Sequence, residues 1–381
     1  MNIQNIAAPV AGAENTDCLF LAIEMSLSHW DVLVRMPGSD KLSRHRLAGG
    51  DGPALLALIA KLRQRAERQA GRSVRVICCY EAGYDGFWLH RLLAENGVAN
   101  HVVDPASVLV DRRSRRRKSD RLDGEALLRT LMAWWRGEPR VCSMVRVPSI
   151  AEEDAKRGTR ERERLVKERV QHVNRIKGLL ATQGIYDFHP LHADRDKRLA
   201  RLALPEHLRA EIGRELARLT LVINQIAMIE ADRDAVLTAA PSPEDAGAAK
   251  IRKLAELKSI GPEFATGLVR EVYYRDFANR RQVGGYTGLV GSPWLSGKLA
   301  VEQGIGKAGN PRARTLLVEL AWMWRRYQPQ SALSRWFNQR VGSQKGRLRR
   351  IAIVALARKL AVALWHYLEH DILPEGAVKK S

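Results

Sequence analysis

Cysteine is scarce in this chain, and its four cysteines, Cys18, Cys78, Cys79 and Cys142, form no CxxC pair and no metal-ligand spacing. That excludes a disulfide framework and a cysteine-based zinc site, and it fits a reducing cytoplasm. Cys78 and Cys79 lie in an apolar run and read as small core residues. The ten histidines fall in no HExxH or CxxH pattern, so zinc chemistry of that kind is excluded as well. The N-terminus lacks a basic segment leading into an apolar one. The most apolar stretch near the C-terminus, 351–365, is broken by Arg358 and Lys359, so no transmembrane helix is expected. No internal repeat is present. Acidic residues are outnumbered, with 42 Asp and Glu against 63 Lys and Arg, which leaves a net charge of +21. A surplus of that size calls for an anionic partner. Nucleic acid comes first, an acidic membrane surface second, and a merely soluble basic protein is the plain alternative. An apolar content of 45% excludes a wholly disordered chain, and 381 residues provide for two or three domains.

Residues 1–17 are small and polar and are expected to be disordered. From there the pattern is β-β-β-α-β-α-β-α. Leu19-Phe20-Leu21-Ala22-Ile23 reads as a buried strand ending at Glu24, and Trp30 to Val34 as a second. Ser43 to Leu47 reads as a third, before the Gly49-Gly50-Asp51-Gly52 turn. A helix opens at Pro53 with an apolar face of Leu55, Leu56, Leu58, Ile59 and Leu62. Val74 to Tyr80 is a strand ending at Glu81. Gly86 to Asn96 is a short helix closed by Gly97, Ala99 to Val103 a further strand, and a helix follows from about Ser119. Three strands joined by short turns form an antiparallel meander, and the strands that arrive through helices lie parallel to the first. This is the plan of a ribonuclease-H-like mixed sheet, assigned here to residues 18–145.

Residues 146–240 read as a helical spacer with a coiled-coil-like seam. Leu165, Val170, Val173, Ile176, Leu179 and Leu180 mark one long helix, and Pro205 starts another that runs to about Ala239. The two pair either with each other as an antiparallel hairpin or with a second chain. Ala240-Pro241-Ser242-Pro243 is a linker, and 244–250 does not read as core. Residues 250–381 form a mainly helical C-terminal domain with Gly-rich breaks.

Glu24 and Glu81 each end a strand. If those strands are neighbours, both carboxylates project into the crevice beyond the sheet edge. Asp120 and Asp123, three apart at a helix start, share one face. Four convergent carboxylates repel one another unless a cation stands between them, and Mg²⁺ or Mn²⁺ suits such oxygen ligands. Two such ions clamp the attacking and leaving oxygens of a phosphodiester. The run Arg112 to Lys118, including Arg115, Arg116 and Arg117, is placed to hold a DNA or RNA backbone. Taken singly, each acid is as readily a solvated strand end or a complement to a helix dipole.

In the last third, Leu257 to Thr266 is a Gly-Pro turn opening a helix and resembles half of a helix-hairpin-helix element. The Gly-rich stretch 285–309, with Lys307, leads into Asn310-Pro311, an N-cap followed by a proline at the first helical position. With Arg312 and Arg314 in the next turn this makes an anion cradle. Ser296 sits in a Ser-Gly turn before it; from chemistry alone it is a turn serine. From Trp336 to Leu368 there is no acidic residue, so Arg347, Arg349 and Arg350 belong to a basic stretch suited to phosphates or to an ordinary solvated helix face.

These residues resemble the DEDD transposases of the insertion-sequence 110 family. The strand ending in Glu24, Tyr80-Glu81-Ala82-Gly83-Tyr84 and Lys118-Ser119-Asp120-Arg121-Leu122-Asp123 carry the N-terminal part of the likeness. Ser259-Ile260-Gly261-Pro262, Tyr286-Thr287-Gly288-Leu289, Leu295-Ser296-Gly297 and Gly304 to Asn310 carry the C-terminal part. The resemblance implies a RuvC-like domain, a coiled-coil spacer and a C-terminal transposase domain, acting in the cytoplasm on the nucleoid. It implies that Glu24, Glu81, Asp120 and Asp123 hold Mg²⁺ or Mn²⁺ and that Ser296 attacks DNA to give a covalent phosphoserine. It further implies donor and target DNA as partners, a structured bridge RNA as guide, and a homo-oligomer, dimer or tetramer, in which the acids and the serine come from different protomers; no membrane partner is implied. The family's first acid is usually Asp, where this chain has Glu24. Ser292 is a neighbouring candidate for the nucleophile. Two further readings remain: a RuvC-type junction nuclease cutting with activated water, and a nucleic-acid-binding protein without catalysis.

Overall fold

The run Leu19-Phe20-Leu21-Ala22-Ile23 is the middle of β1 (Cys18–Met25), and every one of those residues is buried. A continuous apolar run is what a strand covered on both faces requires. The computed structural model describes residues 18–108, 120–240, 246–296, 299–306 and 308–380; the side chains of 106, 120–122 and 292–303 also lie outside the description. The chain divides into two units, Met1–Ser149 and Ile150–Ser381.

In the first unit, β1, β2 (His29–Arg35), β3 (Leu42–Ala48), β4 (Arg75–Glu81) and β5 (Ala99–Val103) form one sheet in the order β3-β2-β1-β4-β5. β2 runs antiparallel to β1 and to β3, while β4 is parallel to β1 and β5 parallel to β4. The mixed ribonuclease-H-like sheet read from the sequence is present. α1 (Gly52–Ala70) and α2 (Trp88–Glu95) cover one face. Asp51 caps α1 by accepting from the Ala54 N–H, Pro53 follows, and Gly71 ends the helix in the left-handed conformation. α3 (Asp120–Trp135) covers the other face. Alternation sorts the side chains. Leu19, Leu21, Ile23, Cys78 and Tyr80 pack toward α1 and α2. Cys18, Phe20, Ala22, Ile77 and Cys79 pack toward Leu127, Leu128, Leu131 and Trp135 of α3. All four cysteines are buried thiols.

The second unit opens with α4 (Ile150–Asp154) and α5 (Arg157–Ala181) in place of one uninterrupted helix. The interruption falls at Lys156, whose side chain turns inward and sets its ammonium 3.7 Å from the centroid of the Tyr274 ring. After α6 (Arg195–Ala200), α7 (Glu206–Thr238) returns along α5. The side-chain pairs Arg162–Glu230, His172–Glu215 and Arg175–Glu211 descend in register, which fixes an antiparallel hairpin. Ile176, Leu180, Ile212, Leu216 and Leu219 fill its seam.

α8 (Ala246–Ala255) begins within the stretch expected to lie outside the core. Ala248 and Ile251 are buried there, because one face of this small-residue helix packs inward. α9 (Pro262–Leu268) starts at the Gly-Pro turn and runs into a π-helical turn over Val269–Tyr273. α10 (Arg280–Thr287) ends at left-handed Gly288. The Gly-rich stretch that follows is a hairpin, β6 (Gly291–Ser296) with β7 (Leu299–Ile305), where the sequence reading expected only breaks between helices. Trp294 and Val301 pair across it, and such residues favour strands when a two-residue link joins them. α11 (Pro311–Tyr327), α12 (Ala332–Val341) and α13 (Arg347–His370) complete the unit. α13 is long and apolar enough to span a membrane by length and composition. Its Ile353, Leu356, Leu360 and Leu364 are buried in the core of this unit.

Candidate active site

The pairing of β1 with β4 matches Ile23 to Tyr80, so the next step of that register sets Glu24 beside Glu81. Both follow the alternation of Phe20, Ala22, Ile77 and Cys79 and therefore lie on the α3 face. They stand at the carboxyl ends of adjacent parallel strands, where such sheets bind ligands. One oxygen of Glu24, Oε2, is buried.

The first turn of α3 brings Asp123 to the same place. Gly124, next to it, lies so close to β2 that a methyl group there would stand 2.6 Å from Leu33 Cδ1. A glycine lets the helix start descend onto the sheet, and nothing in the sequence reading singled it out. Partial desolvation, and then the negative charge of Asp123, push the Glu81 carboxyl above its ordinary pKa. Asp123 is thus close enough to bear on Glu81. The Asp120 side chain lies outside the described residues. Among the described residues no three His, Cys, Asp or Glu side chains close into a metal cage. The donor set nonetheless has the chemistry of a hard-cation site: carboxylates only, on one face, with the Glu81 carboxyl raised by partial burial and then by Asp123.

Three residues beside these acids were missed in the sequence. Asp31 pairs with Glu24 across β1 and β2, and Arg46 pairs with Asp31 across β2 and β3. Asp31 is buried, and its carboxylate accepts from Arg46 Nε and Nη2, both at 3.0 Å, and from Arg44 Nη2. The Arg46 hydrogen bonds, working against burial, and then Arg44 lower the Asp31 pKa to about 2. The available signal was Arg44-His45-Arg46, two like charges on one face of a strand that has no apolar alternation.

In the second unit Ser296 is the last residue of β6, paired with Leu299. Its side chain and those of Ser292 and Lys307 lie outside the described residues. The loop after β7 is tied down at Asn310. Asn310 Oδ1 caps α11 by accepting from the Arg312 and Ala313 N–H groups, as its sequence predicts. Its Nδ2 donates to Glu271 Oε2 at 3.0 Å and to the Tyr286 hydroxyl at 3.1 Å. Gly309 has φ +97°, and a Cβ there would stand 2.4 Å from the Tyr286 carbonyl oxygen. Glu271 is 1% exposed and accepts from Arg160 Nε and Nη2 at 2.7 and 3.1 Å. Burial raises its carboxyl, but the hydrogen bonds from Arg160 and Asn310 and the charges of Arg160 and Lys156 outweigh that and hold it below its ordinary value. Burial lowers the Lys156 ammonium to about 8. This polar cluster beneath the loop was not foreseen, since its members are 154 positions apart at the widest (Lys156 to Asn310).

The basic residues divide. Arg115, Arg116, Arg117 and Lys118 lie outside the described residues. Arg312 is engaged by Glu163 at 2.9 Å, and Arg314 sets its guanidinium against Gly288. Arg347 and Arg350 are exposed at the start of α13, whereas Arg349 lies over the Trp322 ring at 5.0 Å. The acid-free stretch is therefore partly spent on aromatic faces.

Comparison with known proteins adds to this geometry. A family model described as "Transposase IS116/IS110/IS902 family" matches residues 251–335, and one described as "Transposase", of the DEDD insertion-sequence 110 type, matches residues 23–184. The chain is 49% identical to y4rJ of Sinorhizobium fredii strain NGR234, a protein named as a transposase, over 98% of each chain. It is 28% identical to y4qE of the same strain, also named as a transposase, over 80% of this chain and 78% of the relative. It is 30% identical to a protein of Pseudomonas aeruginosa PAO1 named as a family 20 transposase, over 56% of this chain and 62% of the relative.

Proposed function

The chain belongs to the transposase IS116/IS110/IS902 family, and from that membership we propose that it excises and inserts its own mobile element by serine-mediated strand exchange. It is a DNA transposase. The observation that supports the finer reading best is the register that puts Glu24 beside Glu81, with Asp123 brought close to Glu81 next to the tight approach of Gly124 to the sheet. In this reading Glu24, Glu81, Asp120 and Asp123 hold Mg²⁺ or Mn²⁺. When bound there, such a cation would offset the charge of these carboxylates and supply Lewis-acid polarisation of a phosphodiester. Residues 18–145 are the RuvC-like domain, 146–240 the spacer and 250–381 the transposase domain.

Ser296 acts from the tip of the β6–β7 hairpin. Its hydroxyl oxygen forms an ester with the scissile phosphorus while the bond to the departing deoxyribose oxygen breaks, and that oxygen leaves with a proton. Attack by the hydroxyl of an incoming strand reverses the step and frees the serine. Lys307, Arg312, Arg314, Arg347 and Arg350 bind the phosphate backbone, together with the 115–118 run that precedes Asp120 in the chain. A structured guide RNA selects donor and target DNA, and a homo-oligomer supplies the acids and the serine from separate protomers on the nucleoid.

Trapping a covalent protein–DNA adduct on DNA carrying the element's ends tests this. The adduct is expected with the native chain and lost in Ser296→Ala and Asp123→Ala. An adduct that survives Ser296→Ala overturns the serine assignment. Cleavage without any adduct, unchanged in Ser296→Ala, moves the protein to the junction-nuclease reading. Sequencing RNA that co-purifies with the chain tests the guide.

A further inference from the structure

The β6–β7 hairpin that carries Ser296 stands on two feet, residues 288–290 before β6 and the stretch from Gly306 to Asn310 after β7. The Gly306 N–H donates to the Val290 carbonyl at 3.0 Å and closes the hairpin at its base. Gly288 is pressed against the Ala308 carbonyl and Gly309 against that of Tyr286, so neither position has room for a side chain. Asn310 then fastens the second foot to the first. Its N–H donates to the Tyr286 carbonyl at 2.7 Å, and its Nδ2 reaches the Tyr286 hydroxyl at 3.1 Å.

From Asn310 the contacts continue inward. Nδ2 also reaches Glu271, at 3.2 Å from the carbonyl oxygen and 3.0 Å from Oε2. Glu271 sits in the π-helical turn Val269–Tyr273, an irregularity frequent at functional sites. Its carboxylate accepts in turn from Nε and Nη2 of Arg160, which belongs to α5. A second tie runs to the same helix: Arg312 Nε, in the first turn of α11, donates to Glu163 Oε2 at 2.9 Å.

Stability does not explain these residue types. Capping α11 needs only the side-chain oxygen of Asn310, which Asp, Ser or Thr also supplies. An amide alone accepts at Oδ1 while donating from Nδ2 toward a carboxylate. A buried ion pair such as Arg160–Glu271 is commonly replaced by well-packed apolar side chains with no loss of stability. What the charged pair and the amide add is direction, because each bond orients one partner against the next.

We propose that Arg160, Glu271 and Asn310 form a relay of positioning residues that ties the feet of the Ser296 hairpin to α5, so that the setting of the serine backbone follows the placement of the α5–α7 hairpin. They act through the hairpin and not on the reacting atoms. The inference rests on reading Ser296 as the nucleophile.

The test uses the full chain and DNA carrying the element's ends. It measures the single-turnover rate of adduct formation, the affinity for that DNA, and amide hydrogen exchange over residues 288–310. Asn310→Asp and Asn310→Ser each keep a capping oxygen and lose the amide donor. Both are expected to slow adduct formation on the order of 100-fold, with affinity within about twofold of native, and to speed exchange over the feet. Asn310→Asp also sets two carboxylates against each other. Adding Glu271→Gln exchanges amide and carboxylate, keeps the net charge of the cluster, and is expected to recover both rate and slow exchange. Arg160→Lys keeps the charge without the paired donors and is expected to move rate and exchange the same way as the Asn310 variants. Native exchange over the feet in both Asn310 variants overturns the relay, as does a double variant no better than Asn310→Asp alone. Native rate and exchange in Arg160→Lys, faster exchange at native rate, or a fall in DNA affinity that accounts for the whole loss overturns it too. Asn310→Ser brings in no charge and decides the matter should Asn310→Asp not fold. Ser296→Ala separates this inference from the reading beneath it: an adduct that survives defeats the serine assignment alone, and exchange over the feet still decides the tie to α5.

Discussion

Gly124 of α3 meets Leu33 of β2 so closely that a single added methyl would stand 2.6 Å from the leucine Cδ1. Leu33 is buried, so it has little room to yield. Gly124→Ala sets an overpacking cost of about 1–3 kcal/mol against about 1 kcal/mol gained in helix preference. A net loss on the order of 1 kcal/mol in urea unfolding is expected, with a drop in strand cutting because Asp123 is lifted from the sheet. Adding Leu33→Ala should return part of the activity. A Gly124→Ala protein with native activity would show that the acid does not depend on this approach.

Glu81 is held above its ordinary pKa by burial and by Asp123, so its ionised form works against folding. A raised acid contributes stability that is present at low pH and lost as pH rises through the folded value. Glu81→Gln is therefore expected to raise the melting temperature of the metal-free protein at neutral pH while abolishing cutting. A lower melting temperature would count against the charge repulsion described here. With Mg²⁺ present the native chain should gain thermal stability that the variant does not.

Asp31 behaves in the opposite sense. Its carboxyl is lowered from 3.8 to about 2, so its contribution is present above pH 4 and lost as pH falls toward 2. That contribution is on the order of 2 kcal/mol. Asp31→Asn should be less stable at pH 7 by about that amount and should lose less stability than the native chain between pH 4 and 2. Equal acid sensitivity in the two proteins would remove Asp31 as the cause.

Glu271 is a buried anion whose partners come from α5 and from the cap of α11. Glu271→Ala leaves Arg160 and Asn310 facing a void, a loss on the order of 3 kcal/mol in urea unfolding. Because Asn310 anchors the loop that follows the serine hairpin, adduct formation should fall as well. In a double-mutant cycle with Arg160→Met the two losses should not add, and additivity would deny the pairing.

Much of this was legible in the chain itself. The apolar runs ending at Glu24 and Glu81, the Asp51 and Asn310 caps and the two long seams all rest on local chemistry: side-chain alternation, helix period and capping oxygens. The five-stranded order follows from short turns and helical crossovers. The β6–β7 hairpin escaped because glycine and serine mark turns and breaks alike, and the deciding cross-strand pair, Trp294 with Val301, is only visible once the strands meet.

Sequence determined which acids end strands and where the positive surplus lies, because strand ends and charge are properties of neighbouring residues. Tertiary structure alone decided which acid is which. Asp31 and Glu24 are both acids on the same sheet face, yet one is consumed by Arg44 and Arg46 while the other faces Glu81. Nothing local to either residue separates them; the register of β3 on β2 and of β4 on β1 does. The same holds for Lys156, Glu271 and Asn310, which lie far apart in the chain and form one cluster only because their helices pack together.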